Sequence, residues 1–247
     1  MKGKTIIVTG ASTGIGNAIA RLFIAKGSNV VMNSNNTDRL EKAYAELGKP
    51  TNAILLHGDV AQKETGEKLV KAALKEFGSV DVLINNAGVF SPKPFLDVEE
   101  SDLDLYLSIN FKGSYFAAQA VIPQMQKQQS GTIINMGTVL VDHAIAGFPA
   151  SAAVASKGAI HTFTRQLAAE YGKDNIKVNT ISPGIIRSPL QCKIGVEDAD
   201  SLAGLHLLNR IGEVDEIAQT AYYLAQADFI TGETINVAGG HTVGHAI

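Results

Sequence analysis

The sequence predicts an α/β protein: one doubly wound parallel sheet with helices on both faces, three layers in all. Short β-branched runs alternate along the chain with longer stretches of helical periodicity. At 247 residues and 45% hydrophobic content, the chain can bury one substantial core. No composition break, repeat or low-complexity linker divides it, so a single domain over residues 1–247 is expected. Alternation implies parallel strands, because each crossover helix returns the chain in the same strand direction.

The β-branched run at residues 5–9 is the first predicted strand, and a glycine-rich turn separates it from a helix over 15–26. That helix carries an amphipathic run at residues 17–25. Strands at 29–33 and 53–57 flank a helix at 38–47. A helix at 64–77 then leads to a strand at 80–85. A long helix over 100–128 precedes a strand at 132–135, and a helix over 151–171 precedes one at 177–181. Residues 187–209 are the least regular, with Gly195, Gly204 and several acidic residues just beyond a strand end, and read as a substrate lid. A strand at 234–237 completes the sheet.

Composition excludes several functions. A net charge of −3 and a pI near 6.1 give no basic field for nucleic acid, and no Lys or Arg block addresses an anionic membrane. The one cysteine, Cys192, allows neither an intrachain disulfide nor a thiolate cluster. The histidines at 57, 161, 206, 241 and 245 have no metal-ligand spacing, so no metal is expected. The first nine residues do not resemble a signal peptide, and no apolar run approaches the roughly 18 residues of a membrane helix. A cytoplasmic protein is expected.

Chemistry enters at Thr9-Gly10-Ala11-Ser12-Thr13-Gly14-Ile15-Gly16. Between a strand and a helix, Gly10 permits a tight turn and Gly14 a close backbone approach to a pyrophosphate. Gly16 lets the helix pack closely on the sheet, so that amides at the helix start face the phosphates. This pattern resembles the short-chain dehydrogenase/reductase family, on a Rossmann-type fold, and the resemblance runs essentially the whole chain. Asp59-Val60, Asn85-Asn86-Ala87-Gly88, Asn110, Val178-Asn179, Pro183-Gly184, Thr231-Gly232 and Ala238-Gly239-Gly240 each stand where that family has a motif. Singly they have plainer readings: Asn86 as a stitch between strands, Pro183-Gly184 as a turn.

The resemblance implies a nicotinamide dinucleotide held by Gly10, Ser12, Thr13, Gly14, Ile15, Gly16, Ser34, Asn35, Asp59, Val60, Asn86, Ala87, Gly88, Lys157, Pro183, Gly184, Ile186 and Ser188. The family selects between coenzymes by an acidic residue for NAD or a basic one for NADP. The segment Asn33-Ser34-Asn35-Asn36-Thr37 has neither. No carboxylate there repels a 2′-phosphate, and Ser34, Asn35 and Asn36 can donate hydrogen bonds to it. NADP is favoured, with NAD as the alternative; Arg39 reads as a solvated helix charge.

In that family a Tyr exchanges a proton with the substrate oxygen, and a Lys four residues later, one helical turn along, lowers its pKa. Lys157 fits the lysine, but the tyrosine position is Ala153, which has no proton to give. Thr138 stands where the family has its serine, and Asn110 matches its proton-relay asparagine. The loop from Thr138 to Ala153 is longer than the family's common spacing. His143 is the candidate substitute donor because imidazole titrates near neutral pH; its plain reading is a loop histidine. Asp142 could orient it. Ser151 reads as a helix N-cap.

Three functions remain open. The first is an NAD(P)-dependent oxidoreductase acting on a small, mostly apolar carbonyl, alcohol or imine, with a non-standard proton donor: His143, or water held by Thr138, Lys157 and Asn110. The second is a catalytically silent or engineered-inactive NAD(P)-binding protein. The third is a scaffold that uses the fold's oligomeric surfaces. The resemblance also implies a homotetramer.

Overall fold

The computed structural model describes residues 1–246; Ile247 and the side chains of Cys192 and Lys193 lie outside the described residues. Seven strands form one parallel sheet: β1 (Thr5–Val8), β2 (Asn29–Ser34), β3 (Ala53–His57), β4 (Val82–Asn85), β5 (Gly131–Met136), β6 (Ile176–Pro183) and, after a two-stranded side ribbon, β9 (Thr234–Val237). Their spatial order is β3-β2-β1-β4-β5-β6-β9. The direction of winding therefore reverses at β1, which pairs with β2 (Ile6 opposite Val30) and with β4 (Ile6 opposite Val82). In open α/β sheets, ligands bind outside the strand ends at such a reversal.

Helices α1 (Gly14–Ala25), α2 (Thr37–Glu46), α3 (Lys63–Phe77), α4 (Glu100–Tyr106), α5 (Gly113–Gln128), α6 (Ser151–Tyr171) and, beyond a short α7 (Pro189–Lys193), α8 (Val214–Leu224) make the outer layers. Strand periodicity divides the core. Ile6, Val8, Met32 and Ile84 face one way, packed with Ile19 and Phe23 of α1 and Ile217 and Leu224 of α8. Ile7, Val31, Leu83 and Ile133 face the other, packed with Leu69 of α3, Val121 and Met125 of α5 and Leu167 of α6. With both faces buried, the strands read as apolar runs rather than alternating ones.

Three local expectations are corrected. The helix over 100–128 is broken: α4 and α5 are joined by a wide π turn, Leu107–Lys112, which contains Asn110. Strand β4 starts at Val82 because Val80 N is held by Gln128 Oε1 (3.1 Å). Ser151 is the first residue of α6 rather than its N-cap; Ala150 takes that place, with no side-chain capping bond. Helix α8 was not singled out from the sequence. It opens with a reciprocal capping box between Glu213 and Glu216. No helix among the described residues is long and apolar enough to cross a membrane.

Candidate active site

The ends of β1 and β4 are tied together where the winding reverses. Thr9 Oγ1 donates to Ile84 O and accepts from Asn86 N (3.0 Å) and Ala87 N (3.1 Å). Asn86 Nδ2 donates to Thr9 O (3.0 Å) and Gly10 O (3.1 Å). The stitching role of Asn86 is therefore present, and it fixes the glycine loop. Gly10 has φ +64°, and a Cβ there would lie 2.8 Å from Ala87 Cα; a Cβ on Gly16 would strike the Gly10 carbonyl and the Asn86 carboxamide. Only glycine keeps α1 this close to the loop. Thr13 precedes α1 without a side-chain cap, and no acidic residue occupies the first turn, so the positive end of the helix faces outward past Gly14 and Ile15. A cradle that any side chain would fill fits a dinucleotide's pyrophosphate.

Around this loop, Ser12 Oγ and Ser34 Oγ are 3.0 Å apart, and Ser34 Oγ accepts from Asn36 N (3.2 Å). Asn36 Oδ1 caps α2 through Arg39 N (2.9 Å), while Asn35 and Arg39 are exposed. Asp59 is exposed, with Oδ1 accepting from Ala61 N (3.0 Å); Val60 is buried against Gly113 at the start of α5. Ser188 overhangs the loop: a Cβ on Gly14 would be 3.6 Å from Ser188 Cβ. Its hydroxyl and amide both donate to Gln191 Oε1. Gly184 N donates to Val237 O (3.1 Å), which ties the Pro183-Gly184 turn to β9, and Ile186 is buried in the ribbon of β7 (Ile186–Arg187) and β8 (Gly212–Glu213).

The π turn has a cause in Asn110. Its Oδ1 accepts from Val89 N (2.8 Å), and its Nδ2 donates to Val89 O (3.0 Å) and Ser156 Oγ (2.8 Å). Ser156 Oγ in turn donates to the Ala153 carbonyl (2.7 Å). Ser156 is a positioning residue that sequence reasoning missed. Lys157 Nζ donates to Met136 O (2.6 Å), and a Cβ on Gly88 would sit 3.0 Å from Asn110 Oδ1 and 3.3 Å from Lys157 Nζ. Asn110, Lys157 and Gly88 thus meet. Burial pushes the Lys157 ammonium down to about 8. Thr138 lies at the end of β5 and accepts from Leu140 N (3.3 Å).

Ala153 is 1% exposed and packs with Tyr106, Ala152, Val89, Phe90 and Val98. The Tyr106 hydroxyl in that cluster is spent on Ser91 O (3.0 Å). His143 instead joins a group of histidines. Its Nε2 is 3.3 Å from His245 Nε2, and its ring centroid is 5.4 Å from that of His241. His206 stacks edge-on against His241 at 5.3 Å, while its Nε2 accepts from Ile185 N (3.1 Å). Burial, then the neighbouring histidines, push His241 down to about 4. His161 lies apart, 3.1 Å from Ser182 Oγ, and burial lowers its pKa. His241 and His245 are four residues apart, a spacing metal ligands do use, but His143 and His206 come from distant parts of the chain and join them only on folding.

The family model described as Enoyl-(Acyl carrier protein) reductase matches residues 10–242. Oxidoreductase UcpA of Salmonella typhimurium is 34% identical, the match covering 100% of this chain and 97% of the relative. The 3-oxoacyl-[acyl-carrier-protein] reductase FabG of Staphylococcus epidermidis is 35% identical over 96% of this chain and 98% of its own length. Among solved structures, a short-chain type dehydrogenase/reductase from Mycobacterium marinum superposes with a TM-score of 0.92 at 28% identity, covering 98% and 96% of the two chains.

Proposed function

The chain belongs to the short-chain dehydrogenase/reductase family of oxidoreductases, and from that premise we propose that it is a nicotinamide-dependent reductase of a small, mostly apolar imine or iminium substrate. One observation carries the reading. The parts that hold a dinucleotide and organise its ribose end are intact, while position 153 offers no proton to a nascent alkoxide. When bound, the dinucleotide supplies the hydride.

Gly10, Ser12, Thr13, Gly14, Ile15 and Gly16 form the pyrophosphate cradle, and Ser34 and Asn35 meet the adenosine ribose. Asp59 and Val60 border the adenine; Asn86, Ala87 and Gly88 line the sheet end. Lys157 binds the nicotinamide ribose, while Pro183, Gly184, Ile186 and Ser188 border the carboxamide. Having no carboxylate at 33–37, the site takes NADP in preference to NAD. The Thr138 hydroxyl faces the reacting group, accepting from an iminium N–H or donating to a neutral imine nitrogen or a carbonyl oxygen. Water held between Thr138, Asn110 and Lys157 supplies any proton, because the His143 Nε2 faces His245.

A cationic C=N accepts hydride to become a neutral amine and leaves no alkoxide. A ketone needs a donor, and losing one such donor costs on the order of a hundredfold to a thousandfold in rate. Residues 187–209 form the lid of the single domain. Exposed Leu103 and Leu105 on α4 and Tyr115 on α5 fit a homotetramer.

NADPH and NADH oxidation with a cyclic iminium and with a 3-oxo thioester is the test. Iminium turnover is expected, with ketone reduction near background until Ala153→Tyr raises it by about a hundredfold. NADP(H) binding without turnover of either substrate would instead establish a silent binder. Titration showing tighter NADH than NADPH binding would reverse the coenzyme assignment.

A further inference from the structure

We propose that His143, His241 and His245 form a binding site for a divalent transition cation of the zinc class, joining the loop after β5 to the carboxyl-terminal tail. One ligand nitrogen from each ring lies within 4.8 Å of the others. The Nε2 atoms of His143 and His245 are 3.3 Å apart. Two imidazole nitrogens at zinc bonding lengths of about 2.0–2.1 Å in a tetrahedron stand roughly 3.3 Å from one another, so that edge is already formed.

The second, independent observation is His241. It is 0% exposed, and both of its ring nitrogens are buried with no hydrogen-bond partner among the described residues. A buried unpaired polar group costs about 1–3 kcal/mol, and a fully orphaned imidazole is among the groups that call for a bound ion or water. Among the described residues no carboxylate joins the set. Three neutral imidazoles select zinc, copper or nickel rather than magnesium or calcium, and leave a fourth position for water or a substrate oxygen.

The site lies where three segments converge. His143 comes from the loop after Thr138, and His241 and His245 come from the tail after β9. Ala246 N donates to Gly204 O (3.1 Å) and Leu208 N to Gly239 O (3.1 Å), which bring residues 204–208 against that tail. A bound cation would therefore pin the tail to the loop after β5, beside residues 204–208.

The test is independent of any oxidoreductase activity. Metal-stripped full-length protein is titrated with Zn2+ by calorimetry and with Co2+ by visible absorption. One cation per chain is expected, with the d–d bands of tetrahedral cobalt. His241→Ala should weaken binding at least a hundredfold and His245→Ala at least tenfold, whereas His57→Ala, outside the cluster, should leave it unchanged. His245 is exposed, so His245→Ala decides the matter even if His241→Ala does not fold. Absence of stoichiometric binding, or affinity that His245→Ala and a folded His241→Ala leave unaltered, would overturn the site.

Discussion

The two ends of the sheet have followed different rules. Around β1 and β4 the winding reversal is tightly tied: Thr9 and Asn86 between them make five hydrogen bonds that fix the glycine loop. Around β5, β6 and β9 the geometry is looser in its chemistry. Ala153 is buried with no titratable group, and His241 is buried with both nitrogens unpartnered among the described residues. Holding a cofactor and choosing a reaction are separable tasks on this fold. The first depends on backbone shape, which tolerates little change; the second depends on a few side chains that can be exchanged.

The strongest test of that contrast is Gly16→Val. Because even a Cβ collides with the Gly10 carbonyl, dinucleotide affinity should fall more than about a hundredfold by titration. Retained affinity would break the claim that the amino-terminal half is constrained by backbone.

Lys157→Met sharpens the other side. Burial lowers its ammonium to about 8 in the folded protein from the ordinary lysine value of 10.5, so the charged form is disfavoured by folding. That penalty is fully present below pH 8 and is relieved as pH rises from about 8 to 10.5. Replacing the lysine should therefore raise stability at pH 7 by up to about 3 kcal/mol and flatten this alkaline rise, while lowering turnover. Chemical denaturation at pH 7 and pH 10 measures it; a less stable variant at pH 7 would show that the bond to Met136 O outweighs desolvation.

A smaller effect is expected for Asn110→Ala, which strips partners from Val89 N, Val89 O and Ser156 Oγ and should cost about 1–3 kcal/mol in thermal or urea unfolding. Smallest is Thr138→Ser. The hydroxyl is kept, so turnover should change less than about threefold in steady-state assays.

The parallel sheet and the glycine turn between β1 and α1 were legible because each depends on local pattern: period or spacing. The break in the helix over 100–128 was not. Its periodicity continues through the π turn, and the cause lies in the bonds Asn110 makes to Val89, far back in the chain. Ser156 was hidden likewise, since its hydroxyl serves Asn110 and the Ala153 carbonyl rather than any motif. The histidine cluster required folding to bring residue 143 to residues 241 and 245, and no spacing rule covers such a gap.

The reversal of winding at β1 also bears on how the chain is made. β1 leaves the ribosome before both of its partners, β2 and β4, and its β4 edge stays bare until residues 82–85 have been synthesised. During that interval a strand of four residues, buried in the finished fold, presents unpaired amides and carbonyls to solvent or to a chaperone. Translation speed through residues 29–85 thus sets how long the nascent protein is open to wrong pairing.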